Sequence, residues 1–129
     1  MARILIADDA ELSRGSIGAV LECFGHEIVE ARNGVECLEA INNSPCDLLI
    51  TDIDMPQVNG IEVILSLKRQ SPDLPVIAIS GYDTLYSAEP LWLAKSAGAC
   101  DVLHKPFKAQ QLMQTVDRAL DHDLKKVAS

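Results

Sequence analysis

Residues Leu48–Gly60 read LLITDIDMPQVNG. The apolar run Leu48-Leu49-Ile50 stops at two carboxylates, Asp52 and Asp54, and a proline and a glycine follow within a few positions. DLLIT (47–51) reads as a strand, and Met55-Pro56 with Asn59-Gly60 reads as the turn that leads into a helix. A strand that is apolar throughout is expected to be covered on both faces, which is the situation of a strand inside a parallel sheet. The two acids then stand at the carboxyl end of a buried strand, and the fold decides what stands beside them.

Working outward, short apolar runs alternate with helical patterns along the chain. RILIA (3–7), EIVEA (27–31), VIAIS (76–80) and DVLH (101–104) are the other strand candidates. Between them Ile17, Val20, Leu21 and Phe24 repeat at helical spacing, with Gly25 as the stop. Val35, Leu38 and Ile41 mark a second helix, closed by Asn42-Asn43-Ser44-Pro45. Ile61, Ile64, Leu65 and Lys68 mark a third, closed by Ser71-Pro72. Pro90 suits the first position of a short fourth helix that ends near Gly98. Leu112, Met113, Val116 and Leu120 line one side of the last. Five β–α units of this kind predict an α/β doubly wound parallel five-stranded sheet, (βα)5.

Ligands of such sheets lie beyond the carboxyl ends of the strands. Strand 1 ends at Asp8-Asp9, strand 3 at Asp52 with Asp54 beyond it, strand 4 at Ser80 and strand 5 at Lys105-Pro106. Clustered carboxylates repel one another and call for a cation. Oxygen donors without His or Cys suit a hard ion, Mg²⁺ above all if waters complete its shell. Asp8, Asp9 and Asp52 bring three negative charges, which Mg²⁺ and Lys105 together would balance. A phosphoryl group entering this rim finds a cation, an ammonium and the Ser80 hydroxyl, and Asp52 is placed as a nucleophile for an aspartyl phosphate. Taken singly, Asp8 or Asp9 reads equally as a helix N-cap, whereas Ser80 alone reads first as a loop serine and Lys105 alone as a solvated lysine. The combination on one rim carries the reading.

Bulk properties agree. The 129 residues fit one domain, 48% are apolar and only 4% aromatic, so the core is aliphatic. A net charge of −8 disfavours nucleic acid and anionic membrane as partners. Cys23, Cys37, Cys46 and Cys100 have no C-x-x-C spacing and read as small core residues of a reducing compartment. The N-terminal apolar run is too short for a signal peptide, and no run approaches the ~20 residues of a membrane span. A cytoplasmic location is expected.

The acidic pair Asp8-Asp9, the stretch Asp52-Ile53-Asp54-Met55-Pro56-Gln57-Val58-Asn59-Gly60, Ser80 and Lys105-Pro106-Phe107 together resemble the receiver domain of two-component response regulators. The chain is similar to the single-domain chemotaxis regulator from Arg3 to about Leu120. The resemblance implies a flavodoxin-like sheet in the order 2-1-3-4-5 and a single receiver domain over 1–129, whether standing alone or cut from a longer protein. It implies a signalling switch rather than an enzyme. A sensor histidine kinase or phosphotransfer protein donates the phosphoryl group, and a downstream protein reads the face of helix 4, strand 5 and helix 5. Residue by residue, Asp52 is the phosphoacceptor and a Mg²⁺ ligand. Asp9 is a direct ligand, Asp8 acts mainly through water and Asp54 through its backbone carbonyl. Ser80 and Lys105 hold the phosphoryl oxygens, the bond before Pro106 is cis, and the Asp54 side chain tunes phosphoryl lifetime.

Three features depart from the family pattern. Val102 stands where an aromatic switch residue is common. The connection GYDTLYSAEP after Ser80 is a few residues long. Tyr82 lies beside the site entrance, where it either shields the phosphoryl group and so tunes its lifetime or faces solvent. Trp92, the sole tryptophan, is expected to pack in the core of the fourth helix, with a partner anchor as the competing reading; Leu91 and Leu93 cannot both face the core on one narrow helical stripe. Other functions fit less well. Asp52-Ile53-Asp54 has the D-x-D form of haloacid-dehalogenase-like phosphatases, but Pro56 stands where Thr or Val is usual. Asp8-Asp9 would repel a flavin phosphate. A degenerate receiver that works without phosphorylation is the remaining alternative.

Overall fold

The computed structural model describes residues 2–55, 58–81 and 89–128, with side chains described for 2–55, 58–81 and 92–121. Five strands, β1 (Arg3–Ala7), β2 (Glu27–Ala31), β3 (Leu48–Asp52), β4 (Val76–Ser80) and β5 (Asp101–His104), alternate with helices α1 (Glu11–Cys23), α2 (Gly34–Asn43), α3 (Gly60–Gln70), α4 (Glu89–Ala97) and α5 (Ala109–Ala128). All pairings are parallel and the sheet order is β2-β1-β3-β4-β5. Among the described residues no helix is long and apolar enough to cross a membrane.

The strand period of two sorts the side chains into two cores. Leu5, Ala7, Leu49, Val76 and Ala78 face one side with residues of α2, α3 and α4. Ile4, Ile6, Leu48, Ile50 and Ile77 face the other with residues of α1 and α5. Every residue of β3 and β4 is buried, as continuous apolar strands require, while the edge strand β2 exposes Glu27 and Glu30, half-buries Ile28 and Val29 and buries Ala31.

Several boundaries and faces differ from the sequence reading. β3 begins at Leu48 and includes Asp52, one residue later than 47–51, because Asp47 is exposed and its carboxylate accepts from the Arg3 N–H at 2.8 Å. Phe24 lies past the end of α1 at the C-cap and is exposed, since the chain turns at Gly25 with φ 89°. On α3 the buried stripe is Gly60, Val63, Ile64 and Leu67, so Leu65 faces solvent. Val35 is exposed likewise, because α2 turns Gly34 and Cys37 inward.

Trp92 is a clear correction: it is 67% exposed rather than core. α4 meets the sheet through Ala94, which is fully buried, and a residue two positions away points about 200° round the helix. Of the cysteines only Cys37 is fully buried; Cys46 is partly buried, while Cys23 at the end of α1 and Cys100 before β5 are exposed. Burial pushes the Cys37 thiol up to about 12. Tyr82, Tyr86 and most of the long connection lie outside the described residues, as does the Leu91 side chain.

Candidate functional site

The sheet register brings the site together. Ala7 of β1 pairs with Thr51 of β3, so Asp8 and Asp52 follow at the same level on adjacent strands. β1 and β3 flank the point where the strand order reverses, the crevice in which α/β sheets bind ligands. Asp8 extends the β1–β2 ladder by one bond, its N–H donating to the Ala31 carbonyl at 3.1 Å. Its Oδ1 accepts from the Ala10 N–H at 2.9 Å, a local turn ahead of α1. Neither acid serves as the N-cap, which falls at Ala10 without a side-chain bond.

Asp8, Asp9 and Asp52 offer carboxylate oxygens that all lie within 4.8 Å of one another, Asp8 and Asp52 buried and Asp9 exposed. Octahedral Mg²⁺ binds oxygen at about 2.1 Å, so its ligands stand roughly 3–4 Å apart. The trio fits such an ion with a slight contraction or with water completing the shell. Lys105 Nζ donates to Asp8 Oδ2 at 3.1 Å and to Asp52 Oδ2 at 3.3 Å. One ammonium against three carboxylates leaves two negative charges, the deficit a divalent cation fills.

Electrostatics single out Asp52. Burial pushes its carboxyl up to about 6; the Asp54 N–H, donating to Oδ1 at 3.0 Å, opposes the rise, Asp8 adds to it and Lys105 opposes it. Burial works against the charge on Lys105, yet Asp52 and Asp8 outweigh it and hold the ammonium above its ordinary value. The site therefore keeps a fixed cation beside a strained anion.

Of the other expected site residues, Ser80, Asp54 and the Lys105-Pro106 bond lie at the carboxyl ends of the strands, and Tyr82 lies outside the described residues. Ser80 is fully buried at the end of β4, and the Lys105 N–H donates to its carbonyl at 2.9 Å. Asp54 is exposed, with its main chain tied to Asp52. The Lys105-Pro106 bond is cis. Val102 is partly buried against the core that Ala94 and Ala99 share, an aliphatic filling of the position.

Two glycines shape the loop after β3. A Cβ on Gly60 would lie 2.2 Å from the Asp52 carbonyl oxygen, so only glycine lets α3 start this close to the acid's backbone. A Cβ on Gly34 would meet the Val58 carbonyl oxygen at 2.2 Å, where α2 abuts the same loop. Asn59 caps α3, accepting from the Glu62 N–H at 3.0 Å.

Arg14 is a residue in contact with the site that the motif reading missed. It is buried on α1, one turn before Ile17 and Gly18 on the inward face. Its signal was a charge on a stripe otherwise apolar. Its Nη1 donates to the Asp8 carbonyl at 2.8 Å and its Nε to Glu30 Oε1 at 2.9 Å.

Comparison with known proteins agrees with this arrangement. The family model of the response regulator receiver domain matches residues 4–117. The DNA-binding transcriptional regulator NtrC of Azospirillum brasilense is 36% identical over 120 residues, 93% of this chain and 24% of that protein. Response regulator MprA of Mycobacterium ulcerans is 35% identical over 111 residues, 86% of this chain and 47% of that one. The chain thus spans about a quarter to a half of these relatives' length. Among solved structures, the receiver domain of NtrX from Brucella abortus superposes with a TM-score of 0.85 at 34% identity, covering 92% of this chain and 98% of that one. A CheY-like receiver domain protein from Methanospirillum hungatei gives 0.90 at 29% identity, with 98% of each chain covered.

Proposed function

Because the chain belongs to the response regulator receiver domain family, whose shared function is signalling by phosphorylation of an aspartate, we propose that Asp52 is the phosphoacceptor of this protein and that a divalent cation, Mg²⁺ by donor chemistry, joins it with Asp8 and Asp9. The observation that carries the proposal is the contact set at Asp52: a buried carboxylate flanked by Asp8, Asp9 and Lys105. At neutral pH Asp52 is ionised, because its raised value of about 6 still lies below ambient pH. One carboxylate oxygen attacks the phosphorus of a phosphohistidine donor, the new O–P bond forming as the P–N bond breaks. Bound Mg²⁺ supplies charge neutralisation for the phosphoryl oxygens. Lys105 holds a further oxygen by its ammonium.

Ser80 stands ready at the end of β4 to bond the phosphoryl group, and its movement would pull the following segment with it. Trp92 and Leu93, both exposed on α4, favour the α4 side as the surface a partner protein reads. The net charge of −8 favours a protein over nucleic acid as that partner. The Asp54 side chain, which is exposed, would tune how long the acyl phosphate survives. Acetyl phosphate tests the proposal: intact mass should rise by one phosphoryl group with Mg²⁺ present, and the adduct should decay on standing. No adduct, or one that forms equally in EDTA, would contradict it.

A further inference from the structure

We infer that Arg14 is a positioning residue for the acidic cation site, acting through the backbone of Asp8 and held in place by Glu30. The inference rests on the reading of Asp8, Asp9 and Asp52 as a divalent-cation site.

The Asp8 carbonyl lies past the end of β1 with the residue 1% exposed, beyond the strand ladder and ahead of the first helical bond, which runs from the Arg14 N–H to the Ala10 carbonyl. A buried carbonyl in that position needs a donor from elsewhere. The Arg14 guanidinium supplies it at 2.8 Å. Its place on the helix explains the reach: Arg14 is the fourth residue of α1, and helical side chains lean back toward the N-terminus, here toward the loop that carries Asp8 and Asp9.

The other edge of the guanidinium meets Glu30 of β2 at 2.9 Å. A single planar group therefore ties three pieces together: the end of β2, the start of α1 and the acid-bearing loop that joins β1 to α1. Ala10 gives α1 no side-chain cap, so beyond the Asp8 N–H bond to Ala31 and the Lys105 ion pair the turn into the helix is held by the Asp8 carboxylate on the Ala10 N–H and the Arg14 bond to the Asp8 carbonyl. The carboxylate bond uses Oδ1, leaving Oδ2 toward Lys105. If the carbonyl bond is lost, the peptide can rotate and both carboxylates lose their aim. A lysine cannot replace the fork, since its ammonium presents no rigid pair of donors.

The experiment uses the intact chain, with Mg²⁺ affinity measured by titration calorimetry and the unfolding midpoint measured in EDTA, for wild type, Arg14→Lys, Glu30→Ala and Glu30→Gln. Partners that orient metal ligands typically change affinity by about tenfold or more when removed. Arg14→Lys is expected to weaken Mg²⁺ binding about tenfold. Glu30→Ala should weaken it severalfold, and Glu30→Gln, which keeps the accepting oxygen, should restore most of the affinity. Glu30 is half exposed, so its variants should leave the unfolding midpoint in EDTA nearly unchanged. Arg14→Lys with wild-type Mg²⁺ affinity would overturn the inference, even if it unfolds more readily, because that result describes a purely structural arginine. Should Arg14→Lys not fold, equal affinities for Glu30→Ala and wild type would overturn it as well. Wild-type protein that binds no Mg²⁺ would remove the cation reading itself and this inference with it.

Discussion

Removing the charge of Asp52 should make the metal-free protein more stable. The carboxyl titrates at about 6 rather than 3.8 because burial and Asp8 outweigh the help from the Asp54 N–H and Lys105. A rise of roughly two units corresponds to about 3 kcal/mol lost from folding stability once the group is ionised in both states. The sign follows from proton counting. Between pH 3.8 and 6 the native state holds a proton that the unfolded state has released, so stability falls as pH rises through that window and levels off above it. Asn at position 52 keeps an oxygen for the Asp54 N–H but carries no charge. In EDTA at pH 7.5, Asp52→Asn should therefore exceed wild type by about 1–3 kcal/mol, or roughly 5–10 °C in midpoint. The gap should shrink to well under 1 kcal/mol near pH 4, by the same proton count. Mg²⁺ at about a hundred times its dissociation constant should raise wild type alone by about 2.7 kcal/mol and close the gap from the other side. Urea unfolding in EDTA across this pH range reads all three. A variant no more stable than wild type at pH 7.5, or a gap that does not change with pH, would refute the reasoning.

Three further outcomes are expected. Gly60→Ala, which places a Cβ 2.2 Å from the Asp52 carbonyl oxygen, should cost about 3 kcal/mol or more in denaturant unfolding, through overpacking against backbone. Lys105→Met removes the ammonium between Asp8 and Asp52; Mg²⁺ should bind severalfold tighter by calorimetry while phosphorylation by acetyl phosphate slows by tenfold or more, by loss of one charged contact to the transferring group. Mg²⁺ affinity should fall as pH drops through about 6, approaching tenfold per unit below it as protons compete for Asp52, and hold steady above pH 7.

Strand pattern and rim chemistry were legible because each rests on local rules. Continuous apolar runs gave β1, β3 and β4 to within one residue, and strand ends placed Asp8, Asp52, Ser80 and Lys105 on one edge. The order 2-1-3-4-5 came with the family resemblance, since short apolar runs do not say which strand is central. Helix faces were less legible. Spacing cannot distinguish the α3 stripe of Val63, Ile64 and Leu67 from one turned by a residue, because Ile61 and Leu65 are equally apolar. Trp92 was misplaced because its hydrophobicity was read without knowing that α4 packs through Ala94. Arg14 was missed because a buried arginine is legible only through its partners, and Glu30 stands sixteen residues away.

The central claim is that the phosphoryl group lands on Asp52. Protein labelled with acetyl phosphate and Mg²⁺ can be reduced with borohydride, which converts an aspartyl phosphate to homoserine, and then mapped by peptide mass spectrometry. Homoserine at position 52 alone, and none in Asp52→Asn, is the predicted result. Homoserine at Asp8, Asp9 or Asp54 in wild type, or undiminished labelling of Asp52→Asn, would contradict the account.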